Sequence, residues 1–515
     1  MFANPSSTHR FVWVYIALVA TVFLPASAKA EVFRARSGTE CLKVLKLDAR
    51  GFESRESGVP HDCMTARYSL DLDAPPGSRT DLARSYSLSF IEYGGTPADR
   101  LEERQWAALQ RILATNKKKY VVVFIHGWHH NANIGDRDVQ RMHVFLSYAR
   151  SFLNQRASYR GAELIGVYIG WNASVWRQGY LSPLDHLSYR AKKSESDRIA
   201  KKVVSDLSEI SALLDIQPGN PAADKMLVVG HSFGGNILAA GLKNDILQDL
   251  QGYNGGTPLA PPLGDMVVML NPASEARNLI DIQKLVRQRR LKFPINQAPH
   301  WMALTSTDDW NAEEYCAKTS ENKEGRSEKR LLPEECLEES EAKWDTATGN
   351  AFNYGQVLLN GNGSKEDYTA LGHFLPTREY PYGTTHDLTA IEGAKFRTEY
   401  WNGIKADRSV CDTAQEWLPE LRRALNNWDT FYASEPRPTK FARSASMETE
   451  YQLRAYLYRR SIKATYSARY NNEPYWNVRT LPNLITDHSG FMSYMLMCML
   501  NQFVLDDPAG TYPVR

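Results

Sequence analysis

Beyond residue 30 the chain lacks any apolar run long enough to span a bilayer, which takes about 20 residues. It also lacks an excess of charge of either sign. Its 61 Lys and Arg against 59 Asp and Glu leave a formal net charge of +2, which gives no electrostatic case for a nucleic-acid partner. Its 6 cysteines include no Cys-x-x-Cys spacing, so a thiolate-based structural zinc site has no support.

What is present is ordinary globular material. The 515 residues are 43% hydrophobic and 23% charged, enough for one large domain with insertions or for several average ones. Residues 1–30 stand apart. Met1 to Arg10 ends in positive charge, Phe11 to Leu24 is almost unbroken apolar sequence, and Pro25 leads into Ala26-Ser27-Ala28-Lys29-Ala30. That is the order of a secretory signal cleaved after Ala28 or Ala30. The expectation is an exported protein, periplasmic or secreted, with an uncleaved membrane anchor as the alternative. Cysteine usage agrees: Cys41/Cys63 and Cys316/Cys336 are the favoured bridges, and Cys498, in an apolar helical run, reads as a buried thiol.

The rest of the chain is organised around Lys225 to Gly241, KMLVVGHSFGGNILAAG. Met226 to Val229 reads as a buried strand, and Ile237, Leu238 and Leu242 mark a helix. Between them lies Gly230-His231-Ser232-Phe233-Gly234. A Gly-x-Ser-x-Gly turn between strand and helix holds its serine in a strained conformation at the end of a sheet, with the hydroxyl exposed as a nucleophile. A bare match to the motif carries little; the strand–turn–helix context makes it specific.

Elsewhere strands and helices alternate. Strands are expected at Tyr86 to Tyr93 (half-buried), Tyr120 to Ile125, Glu163 to Ile169, Asp265 to Leu270, Trp301 to Ser306 and Tyr475 to Leu481. Helices are expected at Leu101 to Leu113, Asp138 to Gln155, Ser194 to Leu214, Glu275 to Leu291 and Phe491 to Val504. Such alternation predicts an α/β fold with a mostly parallel, doubly wound sheet, whose sites form at the carboxyl ends of its strands. Residues 31–84 read as an irregular N-terminal extension tied by Cys41/Cys63. Residues 85–310 and 475–515 are expected to form the core, and residues 311–474 a long insertion before the last strand, read as a cap or as inert elaboration.

Four segments carry chemistry: His126-Gly127 after a strand, the serine turn, Thr305-Ser306-Thr307-Asp308-Asp309, and Asp487-His488-Ser489-Gly490. Together they resemble the alpha/beta-hydrolase superfamily, and within it serine esterase- and lipase-like proteins. The resemblance covers Tyr86 to Trp310 and Tyr475 to Val504. It implies a Ser-His-Asp triad: Ser232 attacks, His488 takes its proton, and Asp309 steadies the imidazole, with Asp308 as the alternative acid. His386 is the alternative base, because a triad is defined by geometry rather than by sequence position; His373 is a weaker competitor, and neither has a readable strand before it. The resemblance places the oxyanion hole at the backbone N–H of Phe233 and one near Trp128.

His126 and His130 stand at His-x-x-x-His spacing, but the segment leaves a strand through a glycine and no third ligand is evident. No metal or cofactor is expected. The function expected is hydrolysis of a small or lipid-like acyl ester through an acyl-enzyme, with acyl transfer to an alcohol, or a non-catalytic binding protein of the same fold, as alternatives.

Overall fold

The computed structural model describes residues 36–38, 40–46, 62–69, 85–94, 100–155, 157–159, 161–173, 189–217, 222–294, 297, 300–306, 371, 385–387, 474–480, 485 and 494–505. Residues 1–30, read as a secretory signal, the Cys316/Cys336 pair, Asp308, Asp309, His373 and His488 lie outside the described residues.

Ten strands of the described residues join one sheet. They are β1 (Glu40–Lys46), β2 (Thr65–Ser69), β3 (Ser85–Glu92), β4 (Lys119–Ile125), β5 (Glu163–Gly170), β6 (Lys225–His231), β7 (Met266–Leu270), β8 (Trp301–Ser306), β9 (Thr385–Asp387) and β10 (Tyr475–Thr480). Their order is β1-β2-β3-β5-β4-β6-β7-β8-β10-β9, and every neighbouring pair is parallel except β2 with β3. The helices are α1 (Leu101–Leu113), α2 (Arg137–Gln155), α3 (Tyr189–Ala212), α4 (Phe233–Gly252), α5 (Arg277–Gln288) and α6 (Tyr494–Leu505). The chain is therefore an α/β protein with a mostly parallel sheet, as its alternating pattern predicts.

The central strands are buried along their whole length, because helices cover both faces. Tyr120, Val122, Phe124, Leu227 and Val229 join one apolar core with α2 and α6. Val121, Val123, Ile125, Met226 and Val228 join another with α1, α3, α4 and α5. This is the continuous apolar reading of a strand between two helical layers. The expected stripe of α3 (Ile199, Val203, Leu207, Ile210, with Leu214 just beyond) is buried in the second core.

Strand order creates the crevice. From β4 the chain passes through α2 to β5 on one side, whereas from β6 it passes through α4 to β7 on the other. Since β4 and β6 are neighbours, the loops at their carboxyl ends diverge. That reversal is where ligand sites form in open parallel sheets.

Three segments differ from the sequence reading. The stretch read as an irregular N-terminal extension supplies β1 and β2, joined by the Cys41–Cys63 disulfide. A seven-residue strand with charged ends and a five-residue strand carry too little periodicity to be read alone. Strand β3, read as half-buried, is buried at every position. Its polar side chains face inward but are paired: Ser89 Oγ lies 2.9 Å from Thr65 Oγ1, and the Glu92 carboxylate accepts the Arg36 N–H at 3.0 Å. Finally, the stretch read as an insertion adds β9 to the sheet edge, and its Leu371 donates N–H to Ser274 O and accepts from Asn477 Nδ2.

Candidate active site

Ser232 follows the last residue of β6 and caps α4 with φ +52° and ψ −116°. A non-glycine residue at positive φ is uncommon and costs of order 1–3 kcal/mol. Its surroundings over-determine it. The Ser232 N–H donates to Leu270 O at 3.0 Å, and its carbonyl accepts from Asn236 N and Ala273 N, both at 3.1 Å. The hydroxyl-bearing residue is thus held at the carboxyl edge of the sheet, 4% exposed.

The two motif glycines permit the turn by close approach. A Cβ at Gly230 would lie 2.5 Å from Gly234 O, and one at Gly234 would fall on the Ile125 carbonyl oxygen. Strand end β4 reaches the same point. Ile125 pairs in register with Gly230, and a Cβ on Gly127 would lie 3.1 Å from the Ser232 Cβ. Gly127 and Ser232 therefore face each other across the crevice, with Trp128 and Phe233 beside them, ring centroids 6.4 Å apart.

His126 is fully buried between two rings, parallel to Trp171 at 5.7 Å and Tyr168 at 5.6 Å. Its Nδ1 lies 2.8 Å from Gly127 O, an acceptor, and its Nε2 lies 3.0 Å from the Trp171 N–H, a donor. Only the neutral tautomer protonated on Nδ1 satisfies both. Burial pushes its pKa down to about 4. Trp171 Nε1 in turn donates to His126 O at 2.9 Å. With both nitrogens engaged, His126 has no lone pair to offer a metal, and no cluster of three metal-ligating side chains occurs among the described residues.

This ring also orients a peptide. No cis bond occurs among the described residues, so the Gly127 carbonyl and the Trp128 N–H point in opposite directions. Fixing the carbonyl on His126 therefore sets the direction of that N–H.

The register places the other candidates. His231 pairs with Leu270, Leu270 with Leu304, Leu304 with Val478 and Val478 with His386. Four strand spacings put the His386 backbone about 19 Å from the end of β6. The pattern gave no strand there because three residues show no period.

Asp308 and Asp309 follow β8, two strands from β6. The exit of β8 is pinned by a residue the sequence reading did not single out for the site. Asn271, at φ +42°, accepts the Ser306 N–H on Oδ1 at 2.9 Å and donates its own N–H to Leu304 O. Asn before Pro at a strand end was the available signal.

The segment holding His488 is flanked by two described ends. It leaves the carboxyl end of β10 and returns at the start of α6, with Ile485 buried in the first core. Compared with protein-family models, with curated proteins and with solved structures, the chain matches none.

Proposed function

We propose that this chain is a serine hydrolase of the alpha/beta-hydrolase type that cleaves a carboxylic ester through an acyl-enzyme. The observation that carries the reading is the strained backbone of Ser232, at the sheet's reversal point and facing Gly127. A serine without a role gains nothing from positive φ, whereas a nucleophile gains a fixed place at the head of a helix.

In the mechanism, the Ser232 hydroxyl attacks the ester carbonyl while His488 takes its proton, and Asp309, or Asp308, stabilises the imidazolium. The N–H groups of Phe233 and Trp128 receive the oxyanion; each such donor is worth on the order of 10²–10³ in rate. His488 then returns the proton to the leaving alcohol, and water repeats the sequence to release the acid. Support for His488 comes from its flanks, since both ends of its segment lie at the edge of the sheet that carries Ser232. The 311–474 stretch, a long insertion in this reading, falls in the sequence between β8 and β10, which pair directly.

An activity-based fluorophosphonate probe tests the reading. Wild type is labelled and Ser232→Ala is not; equal labelling of both, or of neither in folded protein, overturns it. Product analysis with added alcohols separates hydrolysis from acyl transfer.

A further inference from the structure

The hydrolase reading leaves His130 without a task, yet it is built into the loop that carries Gly127 and Trp128. Its Nδ1 donates to Asp136 Oδ1 at 2.9 Å, and its Nε2 lies 3.7 Å from Asp138 Oδ2. Asp136 is the hub of the loop: it also accepts the N–H of Asn131 at 2.9 Å and of Asp138 at 2.8 Å. Asp138, fully buried, binds Arg141 on its other oxygen at 2.6 Å. Its Oδ2 makes no hydrogen bond among the described residues, so the imidazole is the near cation that answers it.

We propose that His130 is a positioning residue: as an imidazolium it clasps the Gly127–Trp128 loop onto the start of α2 through Asp136 and Asp138. The catalytic consequence rests on the serine-hydrolase reading; the clasp itself does not.

The groups facing His130 decide its charge. From its own loop come Asp136 and the neutral ring of His126, 6.4 Å away. From α2 come Asp138 and Arg141, from β5 the phenol of Tyr168, and behind Asp138 stands His231 of β6. Burial lowers the pKa of His130, but the Asp138 and Asp136 carboxylates outweigh it, and the net shift is upward. The two carboxylates are answered by Arg141 and by Arg36 of the amino-terminal segment, whose Nε bonds Ala132 O; protonated His130 adds the cation that faces Asp138 Oδ2. Because the folded pKa is raised, the stabilisation is complete below the unfolded value near 6.5 and is lost as pH rises through the folded one.

The test is urea unfolding and fluorophosphonate labelling of the full chain between about pH 6 and 10. Wild type should lose both stability and labelling rate on the alkaline side. His130→Gln keeps a hydrogen bond to Asp136 without the charge. It should lack that alkaline limb and label about tenfold more slowly at neutral pH, a fraction of what one oxyanion donor is worth. An identical alkaline loss in both proteins, or an unchanged neutral rate, overturns the proposal. Should His130→Gln not fold, Asp136→Asn carries the test: the limb moves to lower pH if the clasp is real, and an unmoved limb overturns it. A wild-type stability limb that His130→Gln abolishes, with no labelling of either protein at any pH, upholds the clasp and removes the hydrolase reading.

Discussion

The hydroxyl of Tyr120 donates to Asn501 Oδ1 at 2.9 Å, joining residues 381 positions apart. Tyr120 lies at the amino end of β4 and Asn501 in the second half of α6. The helix therefore enters at the carboxyl edge of the sheet and runs down the face beneath Ser232. Burial, reinforced by the charge of Asp265, keeps the phenol pKa well above its usual value, so it remains a donor.

Tyr120→Phe removes the donor and strands a buried amide oxygen. The expected loss is about 1–3 kcal/mol in urea unfolding, the cost of one unsatisfied buried polar atom. Fluorophosphonate labelling of Ser232 should be unchanged under native conditions, because the bond lies at the opposite end of the sheet.

Ser232→Gly should separate stability from function. Glycine adopts positive φ without a Cβ penalty, so the variant should gain about 1 kcal/mol while losing all labelling. A variant less stable than wild type by calorimetry would mean that the turn is not strained.

Gly234→Ala puts a methyl group on the Ile125 carbonyl, which is backbone and cannot step aside. The turn must open, at a cost of about 2 kcal/mol or more, and labelling should fall with it. A denaturation midpoint equal to wild type would contradict the close packing of β4 against the head of α4.

His126 predicts the acid limb. Its folded pKa, near 4, lies below the unfolded value of 6.5, so the unfolded chain binds a proton first as pH falls. Stability should therefore drop between those values, by about 3 kcal/mol from this ring. His126→Gln, which can offer both a donor and an acceptor, should flatten that limb in pH-dependent unfolding. It should also slow labelling, through looser orientation of the Trp128 N–H.

Much of the core was legible because its signals are local. The apolar run of β6, the glycines around Ser232 and the stripe of α3 each state their conformation within a few residues. The periodicity of α2 was equally plain, starting within one residue of its expected place. The short edge strands were not legible: β1, β2 and β9 are defined by their partners rather than by a pattern of their own. The same holds for Arg36, whose Nε donates to Ala132 O at 2.7 Å across 96 residues and ties the amino-terminal segment to the His126–Asp136 loop.

The turn at Ser232 is announced by its flanking glycines, but its positive φ is held by Leu270 and Ala273 from the next strand and its exit. The roles of the histidines are not announced by their neighbours in the chain. His126 and His130 are four apart in the chain and share a motif spacing, yet burial between Trp171 and Tyr168 makes the first neutral, and Asp136 and Asp138 raise the pKa of the second. Protonation depends on what surrounds a ring in three dimensions. That surrounding comes from β5 and the residue that follows it, from α2 and from the loop between β4 and α2, which only the folded chain brings together.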